Sequence, residues 1–130
     1  DGANVEIKEE VGDDNIFIFG LTTPEVAQTK ANGYNPWDYY NNNAELKEVL
    51  DMIAGGFFSV DEPSRYQAIY DNLLRNGDQY LLLADYEAYI SMQDKVGKVY
   101  QDQEEWSRRA ILNVARMAKF SSDRTIGQYA

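Results

Sequence analysis

The sequence contains no cysteine and no histidine, and each absence closes a branch of chemistry. Without thiols there is no disulfide framework and no thiolate nucleophile. Without imidazole there is no histidine base, and without either there is no zinc site of the usual kind. Any catalysis by this chain is left to carboxylates, lysines, tyrosines and hydroxyls. Long apolar runs are lacking as well. Nothing approaches the roughly 20 residues that cross a bilayer, and no basic stretch leading into an apolar one opens the chain. Basic residues are scarce, 12 against 22 acidic ones, for a net charge of -10. That balance argues against sequence-independent attraction to nucleic acid or anionic membrane, which requires a cationic surface. The chain reads as soluble and not exported in this form.

What is present suits a folded protein: 130 residues with 44% hydrophobic content are enough for one domain with a core. The acid is uneven. Residues 1–60 carry eleven Asp/Glu against three Lys/Arg, and residues 61–130 carry eleven against nine, so the first half holds nearly all the excess. Asp1 rather than methionine opens the chain, which is consistent with a processed or excerpted sequence.

Punctuation divides the chain into helices. Asn4 can cap a short helix over Val5 to Val11, and Gly12 is placed to end it in a left-handed conformation. After the turn Asp13, Asp14, Asn15, the run IFIF (Ile16 to Phe19) is continuously apolar and predicts a strand buried on both faces of a parallel sheet. Thr23 followed by Pro24 predicts a helix start, with an end near Asn32 and Gly33. YNPWDYYNNN (34–43) predicts no long regular element. Leu46, Val49, Leu50 and Ile53 then give one apolar helical face, closed by Gly55 and Gly56.

A further helix is predicted over Pro63 to Asn76, with Tyr66, Ile69, Tyr70, Leu73 and Leu74 on its stripe and Gly77 as its stop. YLLLAD (80–85) fits either a short strand or the lead-in to a helix bearing Tyr86, Tyr89, Ile90, Val96 and Tyr100. Asp102 and Glu105 form a capping pair for a helix with Trp106, Ala110, Val114 and Met117 on its buried side. Ser122 is read as the cap of a last helix that runs to the end of the sequence. No repeat, low-complexity linker or composition shift marks a second domain. One strand and about six helices do not make a self-sufficient α/β domain, but they fit the last part of one.

Four groups of residues bear on chemistry. Glu6, Glu9, Glu10, Asp13 and Asp14 suggest a paired-carboxylate or cation site, although five acids on a short helix and its exit are more often a solvated surface. Tyr34, Trp37, Tyr39 and Tyr40 offer stacking faces for sugar rings or bases, or else fill the gap between two helices. Arg108, Arg109, Arg116 and Lys119 suggest a phosphate or partner site, or simply complement the helix dipole. DGAN precedes a helix N-terminus where backbone N–H groups can hold an anion, but it lacks the lysine and longer glycine arc of a P-loop.

DGANVEI with NIFIFG, then GYNPWDYY, GGFFS, LLLADYEAYI and EWSRRAILNVARMAKFSSDRTIGQYA together resemble the α-glucan (glycogen, starch and maltodextrin) phosphorylases. The resemblance runs through the whole chain and implies reversible phosphorolysis of α-1,4-glucan to α-glucose 1-phosphate. It implies a two-domain Rossmann-like α/β glycosyltransferase fold in the parent and a cytoplasmic, homodimeric class of enzyme whose pyridoxal phosphate is held on a lysine. On that reading residues 1–130 are a single segment, the C-terminal part of the second, cofactor-binding domain, itself mostly helical with one or two short strands.

The cofactor lysine and the substrate-phosphate cations belong upstream in the family, so the Schiff-base role is assigned to none of Lys8, Lys30, Lys47, Lys95, Lys98 or Lys119. The expected catalytic, cofactor-binding and metal residues in this chain are therefore none. Asp1 to Glu6, which border the active-site wall in the family, are expected to act as structural support. The implied partners are the remainder of the phosphorylase chain and, for the parent, α-1,4-glucan, phosphate and a second copy; neither nucleic acid nor membrane is expected. The alternative is a stand-alone acidic helical module that binds a protein partner.

Overall fold

The computed structural model describes residues 2–130; Asp1, part of the opening DGAN, lies outside them. The described residues form helices joined by turns, with no strand among them, and they divide into two compact units. One unit combines residues 1–19 with 90–130, and the other is residues 20–89.

In the first unit, helix α1 covers Gly2–Val11 and stops at Gly12, whose φ of 88° is the left-handed conformation expected at a helix end. A 3-10 turn, Asp13–Asn15, follows. The predicted strand does not form. Ile16 leaves the turn with extended backbone, but no strand is assigned over Ile16 to Phe19. An apolar extended run becomes a strand only beside another strand, and no strand is assigned among the described residues. Phe17 instead packs against Trp106 at 6.3 Å between ring centroids, under the Arg109 guanidinium at 5.5 Å.

Helix α7, Gln103–Arg116, is capped as the sequence predicts: the Asp102 carboxylate accepts the Glu105 N–H at 3.0 Å. Its inward face is the predicted one only in part. Val114 is 82% exposed and Ile111 66%, whereas Arg109, Asn113 and Arg116 turn toward α1 and its exit. Helix α8 spans Ser122–Tyr129 with Ser121, not Ser122, as its cap.

In the second unit, helix α2 (Thr23–Ala31) begins one residue earlier than Thr23 implies. Thr22 is its cap, and the Glu25 carboxylate accepts both the Thr22 N–H at 2.7 Å and its hydroxyl at 2.6 Å. Helix α3, Pro36–Asn42, is a two-turn element inside the stretch expected to be irregular; Asn35 caps it and Pro36 fits its first turn. Asn43 both ends α3 and caps helix α4, Ala44–Ala54, by accepting the Leu46 N–H at 2.9 Å.

The helix predicted over Pro63 to Asn76 is shorter and mixed: turns to Tyr66, then α5 at Gln67–Tyr70, widening into a π turn at Asp71–Arg75. There the Asn76 N–H reaches back five residues to the Asp71 carbonyl. The change of register leaves Ile69 48% exposed and buries Leu74. Helix α6, Leu82–Gln101, settles YLLLAD as a helix lead-in. Its residues to Tyr89 belong to this unit and the remainder to the first.

The core of the second unit is Leu46 and Leu50 from α4, Leu74 from the π turn and Leu83 from α6, flanked by Tyr39, Tyr40, Ile53, Tyr70, Leu73 and Tyr86. Gly20 shows how tightly its edge is built. At φ 86°, a Cβ on Gly20 would stand 2.6 Å from the Asp85 carboxylate, which accepts the Leu21 N–H at 2.8 Å. Gly20→Ala is therefore expected to cost about 2–3 kcal/mol, combining left-handed strain with displacement of that charged hydrogen bond. Urea denaturation followed by circular dichroism measures it, and a loss below half a kcal/mol would show that Asp85 moves aside freely.

Candidate functional site

The acidic, basic and aromatic groups each find partners within their own unit. On the acidic group, Asp13 pairs with Lys8 at 3.4 Å and Glu10 with Lys119 at 3.0 Å. Glu6, Glu9, Asp13 and Asp14 are exposed, and no three acids converge into a metal-holding group among the described residues. These side chains make a solvated face with two surface ion pairs.

The basic group is occupied. Glu105 receives Arg108 at 2.7 Å and Arg109 at 2.6 Å, and these two arginines, Arg108 first, hold the Glu105 carboxyl down at about 2. Arg109 also donates to the Asp14 carbonyl, Asn113 to the Asn15 carbonyl at 2.8 Å and Arg116 to the Val11 carbonyl at 2.7 Å. Residues 109, 113 and 116 recur at helical spacing, so one stripe of α7 gathers the carbonyls left open where α1 ends. Pairing with Glu10 raises the Lys119 pKa. The cations fasten the first unit together and leave none of this group as a free anion site.

Hydrogen bonding to Glu105 carries a pH dependence. Its folded-state ionisation lies at about 2 against an ordinary 4.5, so the stabilisation is complete above about pH 4.5 and drains away as pH falls toward 2. Trp106, edge-on to Tyr100 at 5.1 Å, sits beside the pair and reports on it. Its fluorescence is expected to change between pH 4.5 and 2, and Glu105→Gln is expected to flatten that part of the titration. An unchanged titration in the variant would assign the transition to other carboxylates.

The aromatic group turns inward on itself. Tyr34 and Tyr39 lie 5.4 Å apart, and the Tyr34 hydroxyl donates to the Asp78 carboxylate at 2.7 Å. Partial burial, then the bond to Asp78, raises the Tyr34 pKa far above the ordinary tyrosine range. Trp37 meets Tyr40 edge-on at 5.4 Å, and the Tyr40 hydroxyl donates to Asp51 at 2.6 Å, which pushes it up to about 12. Tyr39 and Tyr40 pack on the leucine core, the gap-filling role weighed above.

Beside them is a feature the sequence did not signal: a cavity of about 460 Å³ between α2, α3, α4 and the start of α6. Its parts come from the helix junctions, where asparagines are placed as caps. No spacing rule joins residues 29 and 87, so only the fold brings them together.

The lysines lie at the surface or in polar and ring contacts. Lys8 and Lys119 are in ion pairs, Lys30 donates to the Gln79 carbonyl at 3.1 Å, Lys47 lies over the Tyr40 ring at 5.2 Å, and Lys95 and Lys98 are exposed.

A family model described as carbohydrate phosphorylase matches residues 1–130, the entire chain. The chain belongs to the carbohydrate phosphorylase family. Among its relatives, glycogen phosphorylase of Synechocystis sp. is 60% identical over 130 residues. The muscle form from Rattus norvegicus is 45% identical and the brain form from Bos taurus 46%, again over 130 residues. The alignments take in all of the chain and 15% of each relative, so this phosphorylase chain spans about 15% of the length of the curated proteins it matches. A stand-alone interaction module is not favoured by identity of that level across the whole sequence. No described helix is long and apolar enough to cross a membrane.

Proposed function

We propose that the chain is one segment of an α-glucan phosphorylase, an enzyme releasing α-glucose 1-phosphate from α-1,4-glucan and phosphate, and that the segment alone is inactive. The observation carrying this reading is the 60% identity to a glycogen phosphorylase over all 130 residues, confined to 15% of that relative. In the parent, the segment is the C-terminal part of the second, Rossmann-like domain, and pyridoxal phosphate would be held by residues outside this chain. The cofactor lysine and the substrate-phosphate cations are proposed to lie in the remainder of the parent, and without them there is no preorganised charge to stabilise the transition state. Asp1 to Glu6 remain structural support for a neighbouring wall.

Apolar surface supports the same reading. In the first unit Val5, Ile111, Val114 and Ile126 are each more than half exposed, as are Phe57, Phe58 and Val60 in the second. Faces of this kind mark contact surfaces, and the remainder of a phosphorylase chain is the partner proposed for them. The parent is proposed to be a cytoplasmic homodimer.

Phosphorolysis assays test the proposal. The full-length protein carrying this segment is expected to release glucose 1-phosphate from maltodextrin and phosphate, and the 130-residue chain to release none. An inactive full-length protein, or turnover by the chain alone, overturns it.

A further inference from the structure

The cavity in the second unit opens beside the core, and the polar part of its lining narrows the ligands it can take. No lysine or arginine faces it, so phosphate and other anions find no counter-charge. It carries two carboxylates, Asp38 and Glu87, but no third acid converges with them, so a bound metal ion is disfavoured as well. Of the ligands left, one with many hydroxyls matches the amides and carboxylates together.

The arrangement suits one. The Asn35 amide donates to Asp38 at 2.9 Å and the Asn43 amide to Glu87 at 3.2 Å. Each carboxylate is thereby held in place by one oxygen, with the other left to accept hydroxyl protons. Asn42 makes no bond that its helix requires and can both donate and accept. Tyr39 and Leu46 provide an apolar floor against which the C–H face of a sugar ring can lie. The volume, about 460 Å³, falls within the ordinary range of small-molecule pockets.

We propose that this cavity is a binding subsite for a neutral saccharide unit, held by Asp38, Glu87 and Asn42 over Tyr39. The first test is titration of the nitrogen-15-labelled 130-residue chain with maltotriose, read from the side-chain amide resonances of Asn35 and Asn42. Saturable shifts are expected with Kd of about 1–10 mM, absent with glycerol at equal hydroxyl concentration and no stronger with glucose 1-phosphate. Asn42→Leu, which fills the space without removing a cap, is expected to weaken binding about fivefold or more.

The second test uses the full-length protein in native gels containing maltodextrin, where Asn42→Leu is expected to be retarded clearly less than the parent. This measurement decides alone if the 130-residue chain is unfolded in solution. Non-saturating shifts, an equal response to glycerol, or unchanged retardation in the variant overturns the subsite. Unchanged retardation with normal phosphorolysis removes the subsite while leaving the enzyme assignment intact.

Discussion

Leu50→Ala is expected to destabilise the chain by about 3 kcal/mol, within the roughly 2–5 kcal/mol range for truncating a buried leucine. Leu50 is 2% exposed on the inner face of α4, and the second unit has only three other fully buried leucines in its core cluster. The methyl groups lost are a large share of the apolar interior of a 70-residue unit, residues 20–89, whose neighbours are tyrosines that cannot move inward without drawing polar hydroxyls with them. Incomplete collapse adds a cavity cost to the lost transfer energy. Small domains have about 5–15 kcal/mol of stability in total, so the variant should show a clearly lower urea midpoint by circular dichroism. Val49, adjacent in sequence but 37% exposed, supplies the control. Val49→Ala is expected to cost under about 1 kcal/mol. Equal losses for the two variants would mean that α4 does not bury the Leu50 face.

Asp78→Ala is expected to cost about 3 kcal/mol, because one buried carboxylate oxygen serves two donors. Asp78 is 3% exposed, and its Oδ2 accepts the Tyr34 hydroxyl at 2.7 Å and the Leu83 N–H at 2.8 Å. Removal leaves a half-buried phenol and a buried backbone N–H at the start of α6 without their acceptor. Asp78 also sits at φ 42°, where an aspartate is better tolerated than an alanine. Asp78→Asn keeps an acceptor oxygen and the tolerance for this conformation, so it should lose less than half as much. Tyr34→Phe removes only one of the two bonds and is expected to cost about 1 kcal/mol. Urea unfolding of the three variants gives the order Ala, then Asn, then Phe. An Asn variant as damaged as the Ala variant would show that the negative charge, rather than the acceptor geometry, is what α6 requires.

Much of the helical framework was legible because its signals are local. Gly12, Gly33 and Asp102 each act within a turn of themselves, and the structure uses them as the sequence implies. Errors arose where a signal depends on distant neighbours. IFIF has the composition of a buried strand, but composition cannot supply the adjoining strand, and Phe17 finds an indole instead. On α7 the predicted stripe holds at Trp106 and Met117 but not at Ala110 and Val114, because arginine and asparagine donors facing open carbonyls set the inner side. Hydrophobic periodicity is blind to that demand. The register change at Asp71–Arg75 was likewise hidden, since a five-residue backbone step leaves no mark in residue type. The placement of the aromatic rings followed from the preference for core filling over ligand stacking, while the cavity beside them depends on residues too far apart in sequence to be read as a group.

The stripe Arg109, Asn113 and Arg116 joins residues 95 to 105 positions apart, from Asp14, Asn15 and Val11. Long-range closure is paid in chain entropy before any contact repays it. The second unit, residues 20–89, lies wholly inside that span and closes with shorter connections of its own. Its folding shortens the gap that the stripe must bridge, which gives the chain an order of assembly: the middle first, the opening residues last. As the polypeptide emerges from a ribosome, the residues that end α1 meet their α7 donors only after about a hundred further residues have been made.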